Sequence, residues 1–241
     1  MRGRSAFTPW RGMTTVDSAK RATRCVALLL ILGVGIGGAV LWLIRSRDSA
    51  KREKELRKAG VTFGYLETDR LLSSGELAFV EVRNKDFGDA SVPLLSSFRR
   101  VRALDVSDTA LTGDGLTELL NGRNKSLTGL GVSGLRLDPR VAAAVGRQTY
   151  LRSLAAAHCE LTDDDAMKML SPKILFLALD NNQLTDATLG KLSDLPELVV
   201  VSLENNQFSE VAIEQFRQQH ENIQILEGKD MKDFLRGKWI R

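Results

Sequence analysis

Hydrophobic and polar positions repeat along this chain with a fixed spacing, most plainly between Ile174 and Phe208. There Ile174, Leu177, Leu179, Asn182 and Leu184 recur, 24 residues on, as Leu198, Val201, Leu203, Asn206 and Phe208. The shared template places apolar residues at offsets 0, 3, 5 and 10 and asparagine at offset 8. Leu177 and Leu179 alternate with Ala178 and Asp180, so the spacing predicts a strand with its leucines on one face. One such strand cannot bury that face alone, whereas stacked neighbours can. Asparagine at offset 8 predicts a turn out of the strand, its amide bonding backbone groups that the turn leaves unpaired. Thr185 before Asp186, and Ser209 before Glu210, then predict an N-cap and an acidic first turn, where a helix begins.

Weaker copies precede these two. Leu151, Leu154, Ala156, Cys159 and Leu161 form one; Leu127, Leu130, Val132, Leu135 and Leu137 another; Val101, Leu104, Val106, Thr109 and Leu111 a third; Leu77, Val80, Val82, Lys85 and Phe87 a fourth. Copies starting at 77, 101, 127, 151, 174 and 198 are separated by steps of 24, 26, 24, 23 and 24, and Ile223 with Leu226 suggests a seventh strand 25 residues further on. Such a pattern resembles the leucine-rich repeat superfamily. The runs LTGD at 111, LTDD at 161 and LTDA at 184 look like its bacterial, helix-backed variety. Lys85 and Leu135 depart from the family's Asn, Thr or Cys at the turn position. The resemblance, from Leu77 to Leu226, implies an α/β fold: a short solenoid or horseshoe, parallel strands on its concave face and short helices on its convex face.

Upstream, residues 26–44 read VALLLILGVGIGGAVLWLI without a charge, bracketed by Arg21 and Arg24 and by Arg45 and Arg47. As a helix this run would be roughly 28 Å long, matching the roughly 30 Å hydrocarbon core of a bilayer. A cleaved signal peptide would have a shorter apolar region, about 7 to 15 residues, and a small-residue cleavage site. The expected organisation is therefore a basic disordered tail at 1–24, one N-terminal transmembrane helix at 25–45 and a charged juxtamembrane helix or stalk at 46–60. A repeat domain with an N-terminal cap at 61–228 and a basic amphipathic C-terminal cap at 229–241 follow. Gly33 and Gly37 stand four apart, the spacing at which two helices pack closely in lipid, so they are candidates for a homodimer contact within the lipid bilayer.

Charge is segregated along the chain. The pI of about 9.2 comes from the flanks, because residues 61–228 hold 16 Lys or Arg against 24 Asp or Glu, a net of −8. Basic residues beside an apolar span serve orientation and anionic headgroups, which argues against a nucleic-acid partner. Near the span, four Lys or Arg stand on the N-side and seven on the C-side, favouring a cytoplasmic repeat domain. A first helix behind a basic tail favours the opposite side, and long domains translocate largely regardless of charge. The side of the repeat domain stays open.

No constellation of nucleophile, base and oxyanion donor can be assembled from the sequence, so neither an enzyme nor a cofactor is expected. His158 and Cys159 are adjacent and, on a strand, point to opposite faces. Asp163, Asp164 and Asp165 lack a glycine-punctuated calcium-loop pattern and suit a helix start instead. No GxxxxGK[ST] motif occurs, which leaves no phosphate cradle of that kind. Two cysteines, Cys25 and Cys159, make no disulfide framework.

What remains is the concave face, whose strand positions at offsets 2, 4 and 6 are expected to face solvent. Candidate partner-binding residues there are Phe79, Glu81, Arg83, Asp105, Phe176, Asp180, Val200 and Glu204. The resulting expectation is a single-pass membrane protein that binds a protein partner noncovalently. A structural or envelope-organising protein that self-associates through its membrane helix is the alternative. In segment 229–241, Met231, Phe234, Leu235 and Trp239 form one helical stripe amid basic residues, expected to cap the last repeat, or else to lie on anionic lipid.

Overall fold

The computed structural model describes residues 51, 54–65, 77–96, 101–122 and 127–226. The basic tail, the expected span with Gly33 and Gly37, and the amphipathic segment 229–241 lie outside the described residues. Among the described residues no helix is long and apolar enough to cross a membrane. The chain divides into two compact units, Met1–Lys54 and Glu55–Arg241; the fold below belongs to the second.

Strands and helices alternate in an α/β arrangement built on one sheet. Strands β1 (Val61–Tyr65), β2 (Leu77–Val82), β3 (Val101–Asp105), β4 (Gly129–Gly131), β5 (Ser153–Ala155), β6 (Phe176–Ala178), β7 (Val200–Ser202) and β8 (Gln224–Leu226) lie side by side in chain order. β1 runs antiparallel to β2, and every later neighbour is parallel. Helices α1 (Val92–Ser96), α2 (Gly113–Asn121), α3 (Pro139–Gly146), α4 (Asp163–Met169), α5 (Asp186–Ser193) and α6 (Glu210–Gln219) fill the crossings after β2 to β7. Thr112, Asp138, Thr162, Thr185 and Ser209 cap α2 to α6 with side-chain oxygens, as expected at Thr185 and Ser209.

Pairing follows the sequence copies. Ala103 lies opposite Gly129, Gly129 opposite Ser153, Ser153 opposite Phe176, and Phe176 opposite Val200, so the strands advance by the same steps as the template. The last strand differs from expectation. Val201 pairs with Ile225, a step of 24 and not 25, and Ile225 takes the inward place expected for Leu226. Ile225 packs on the main core, whereas Leu226 joins a small cluster on the other face. Shifting a strand by one residue reverses its faces, and a segment with Ile223, Ile225 and Leu226 all apolar leaves that choice to the backbone ladder.

The core collects the inward positions. Leu151, Leu154, Ala156 and Leu161, then Ile174, Leu177, Leu179 and Leu184, are all essentially inaccessible, and helix residues such as Leu116, Val141, Met169, Leu192 and Phe216 pack on them. Within the stretch 46–60, expected as a charged helix or stalk ending at Gly60, Leu56 is fully buried in this core, and the compact unit begins at Glu55. Residues 54–58 are helical; Gly60, at φ +79, turns the chain into β1, and its carbonyl accepts from the Arg83 amide.

Each turn out of a strand has two parts. At offset 7 the backbone is left-handed: Asp108, Gly134, His158, Asn181 and Asn205 have φ between 54 and 76, and these are the residue types that tolerate this region best. At offset 8 a side chain serves the turn. Asn182 Oδ1 accepts from the Cys159 and Leu161 amides at 3.0 and 3.1 Å, and its Nδ2 donates to the carbonyls of Ala156, Leu179 and Asp180. Asn206 repeats the pattern towards Leu184, Leu179, Leu203 and Glu204. Thr109 and Cys159 bond carbonyls at the same place with one hydroxyl or thiol. Replacing Asn182 with Ala leaves the buried Cys159 and Leu161 amides and the Ala156 carbonyl unpaired, while the Leu179 and Asp180 carbonyls keep bonds from Asn206 Nδ2 and the His158 amide; each unpaired group costs about 1 to 3 kcal/mol. The expected loss is roughly 3 kcal/mol in the unfolding of the full chain, measured by denaturant titration; a change below about 0.5 kcal/mol, the range of ordinary surface substitutions, would show that the turn rearranges to replace the amide.

Candidate functional site

On the face of the sheet away from the helices, the strand positions are less open than their spacing suggests. Phe79, Glu81, Asp180 and Val200 are buried, Asp105 and Phe176 half-buried, and Arg83 and Glu204 exposed. The expectation of a solvent-facing row therefore holds for its edge and not for its floor. Glu81 accepts from Arg83 Nε and Nη2 at 3.1 and 3.0 Å, and its carbonyl accepts from the Thr62 hydroxyl of the antiparallel β1. Two of the candidates thus neutralise each other. Val200 and Ala178 form a second apolar cluster with Ala155, Phe176 and Leu226, crossing β5 to β8 on the side opposite the main core.

Asp180 is occupied by the fold. Its Oδ1 accepts from the Ser202 hydroxyl and, at 2.9 Å, from the Glu204 amide. Burial pushes its carboxyl above the ordinary value, and those two hydrogen bonds oppose the shift. The same offset-6 position links other coils: Ser107 Oγ accepts from the Ser133 amide, and Ser133 Oγ from the Ala157 amide, each at 3.1 Å. Ala157 has no oxygen to continue the row, which resumes at Asp180. Small polar residues at offset 6 therefore stitch neighbouring turns together, a signal present in the sequence as Ser107, Ser133 and Asp180.

Acidic residues at the helix starts form a second set of stitches. Asp163 accepts from the Thr185 amide and hydroxyl of the next coil at 2.9 and 2.6 Å, and from the Thr188 hydroxyl. Asp186 holds Ser209, and Asp89 holds Thr112, in the same two-bond manner. Gly115 lies against the Asp89 carboxylate, where a Cβ would collide with it. Where offset 12 is Gly113 or Pro139, no such clip is present, and the following caps bond within their own coil. Asp138 accepts from the Arg140 and Val141 amides, and Thr162 forms a capping box with Asp165. The acidic run 163–165 is thus divided: Asp163 clips, Asp165 caps, and Asp164 is exposed. The acidic run signals capping by itself, whereas the clips join offset 12 of one coil to offset 11 of the next.

His158 and Cys159 do separate, but in the turn beyond β5 and not by alternation along a strand. His158 is exposed at the left-handed turn position, while Cys159 is buried with its Sγ 3.3 Å from the Val132 carbonyl and 3.2 Å from that of Ala157. Burial pushes the Cys159 thiol up to about 12, so at neutral pH it stays protonated and donates to those carbonyls. Among the described residues no group of three His, Cys, Asp or Glu side chains is placed to hold a metal ion.

Burial raises the Asp163 value, but hydrogen bonds from Thr185 and Thr188 outweigh it and hold the carboxyl below the usual range. With the folded value below the unfolded one, which is about 3.9, the clip contributes stability above that pH and loses it as pH falls through the folded value. Asp163→Asn should therefore melt below the parent chain at pH 6, with the gap closing by about pH 2, followed by circular dichroism. An equal gap at both values would show that the ionised carboxylate does not carry the clip. No protein-family model matches the sequence, and a search of curated proteins returns no match.

Proposed function

We propose that this is a membrane-anchored leucine-rich repeat protein that binds a protein partner noncovalently through the helix-free face of its sheet and catalyses no reaction. The parallel strands, their regular steps and the helix at each crossing support a short solenoid of that type, with the helix-free face as its concave side. Membrane attachment rests on the uncharged run at 26–44. The observation that carries the binding reading is the second apolar cluster. Ala155, Phe176, Ala178, Val200 and Leu226 are contributed by four adjacent strands, apart from the core. An apolar centre with a polar rim is the anatomy of a protein-binding surface, and here the exposed Glu204 and half-buried Asp105 stand on the same face. The side chains with chemical potential have structural work: Cys159 and Asp180 serve the turns, and Asp163 clips coils together.

A photo-crosslinking amino acid placed at Phe176 or Glu204 in native membranes should give adducts with one and the same protein. Placed at Glu214 on α6, it should not. Adducts that are identical at all three positions, or none at the first two, would remove the face as the binding site. An adduct with a second copy of the chain would favour the self-associating alternative, in which Gly33 and Gly37 pack two anchors together.

A further inference from the structure

Two neighbouring loops, at the edge where the chain passes from a helix into the next strand, carry cations and exposed apolar groups together. They run over residues 146–152, from the end of α3 into β5, and 167–175, from the last turn of α4 into β6. Arg147, Arg152, Lys168 and Lys173 are exposed there, and neither loop contains an acid. Among these cations stand Tyr150, 57 % exposed, and Met167, 42 %. The loops touch: a Cβ on Gly146 would collide with the Lys168 carbonyl, and Lys173 Nζ lies 4.9 Å from the centre of the Tyr150 ring. Large apolar groups left in water within one patch mark a place where something docks. We propose that this edge rests on an anionic lipid surface, with its cations on the headgroups and with Tyr150 and Met167 at the interface.

Charge complementarity favours this occupant. Residues 61–228 carry a net charge of −8, so an anionic surface repels the domain as a whole and admits it only by a cationic edge. The opposite edge, where the strands end, has the other sign. Asp86, Asp108, Asp164 and Glu204 are exposed on it, and its Arg136 and Arg140 are paired with Glu160 and Asp114. At the cationic edge the acid that reaches the patch is Glu197, 3.9 Å from Arg152. Arg147 and Lys168 stand at helix ends, where a cation is favourable in any fold, but Arg152 and Lys173 stand in loops. Arg and Lys reach headgroups with their charged ends while their stems stay on apolar surface, and a tyrosine ring suits the boundary between lipid and water. Each such contact is weak by itself. The inference therefore rests on the proposed membrane anchor, which holds the domain beside the bilayer, where weak contacts act at high effective concentration.

Lipid quenching tests it in the full-length chain with Cys25→Ser, reconstituted into vesicles that carry nitroxide-labelled lipid. The vesicles are phosphatidylcholine alone, or phosphatidylcholine and phosphatidylserine in equal parts. A fluorophore is attached at Thr149→Cys on this edge or, as control, at Gln207→Cys on the opposite one; both positions are exposed, and Cys159 is buried. The Thr149 label should be quenched in the anionic vesicles and not in the neutral ones. It should recover at about 1 M salt, where the screening length falls to about 3 Å. The Gln207 label should stay bright throughout, and changing Arg147, Arg152, Lys168 and Lys173 to Gln should abolish quenching at Thr149. Quenching that is equal in both vesicles, that survives salt or the four substitutions, or that is equal at Gln207 would overturn the proposal. So would a bright Thr149 label in anionic vesicles; a change of its emission on adding polyglutamate would then assign the edge to an acidic protein chain. The salt arm leaves the edge unsubstituted and decides the matter even if the fourfold variant fails to fold. Flotation at the same high salt reports on the anchor separately. A chain that floats with a bright label keeps the anchor and loses this contact; one that leaves the vesicles at high salt, yet is quenched at low salt, keeps the contact and loses the anchor.

Discussion

Everything in this fold depends on satisfying the backbone where each strand turns outward. A stack of short parallel strands buries its turns against the next coil, and water cannot reach the amides and carbonyls left there. An unpaired buried group costs more than an ordinary hydrogen bond returns. Asn182 meets that constraint with both ends of one amide, serving its own turn and the preceding coil at once. Because the asparagine reaches across coils, a turn is complete only when its neighbour is in place, which makes the stack cooperative. Cys159 and Thr109 do less with a single polar atom, while Leu135 fills the same buried place with hydrocarbon, next to Gly134 at φ 76.

Two further rows of contacts tie the coils together away from the core. Offset-6 oxygens of Ser107, Ser133 and Asp180 accept amides on the sheet side, and Asp89, Asp163 and Asp186 accept the capping residues of the next helix. Each interruption has a visible residue cause: Ala157 lacks an oxygen, and Gly113 and Pro139 lack a carboxylate. Groups that a chemist would first suspect of function, the buried Asp180, the Asp163 run and Cys159, are thereby spent on holding one coil to another. The helix-free face keeps a small apolar cluster, with Asp105 and Glu204 on the same face.

That face has a physical tension within it. An apolar cluster outside the core favours a covering layer by the same hydrophobic free energy that builds the core, about 25 cal/mol for each Å² removed from water.

Much of the fold is legible in the sequence by itself. The template residues Leu177, Leu179, Asn182 and Leu184 carry strand, turn and core in their spacing, because side-chain direction alternates along a strand and a buried turn needs a side-chain amide. The helix starts at Thr185 and Ser209 were equally plain, since capping is a local interaction. Three things were decided only by the tertiary structure. Ile225 rather than Leu226 points inward because pairing with Val201, not local hydrophobicity, sets the register. Leu56 joins the core because a helix behind Gly60 delivers it there. Asp180 and Val200 are buried rather than presented, since the depth of a side chain depends on what stands beside and above it. Periodicity along a chain determines which way a residue faces; whether that direction ends in water depends on parts of the chain distant in sequence.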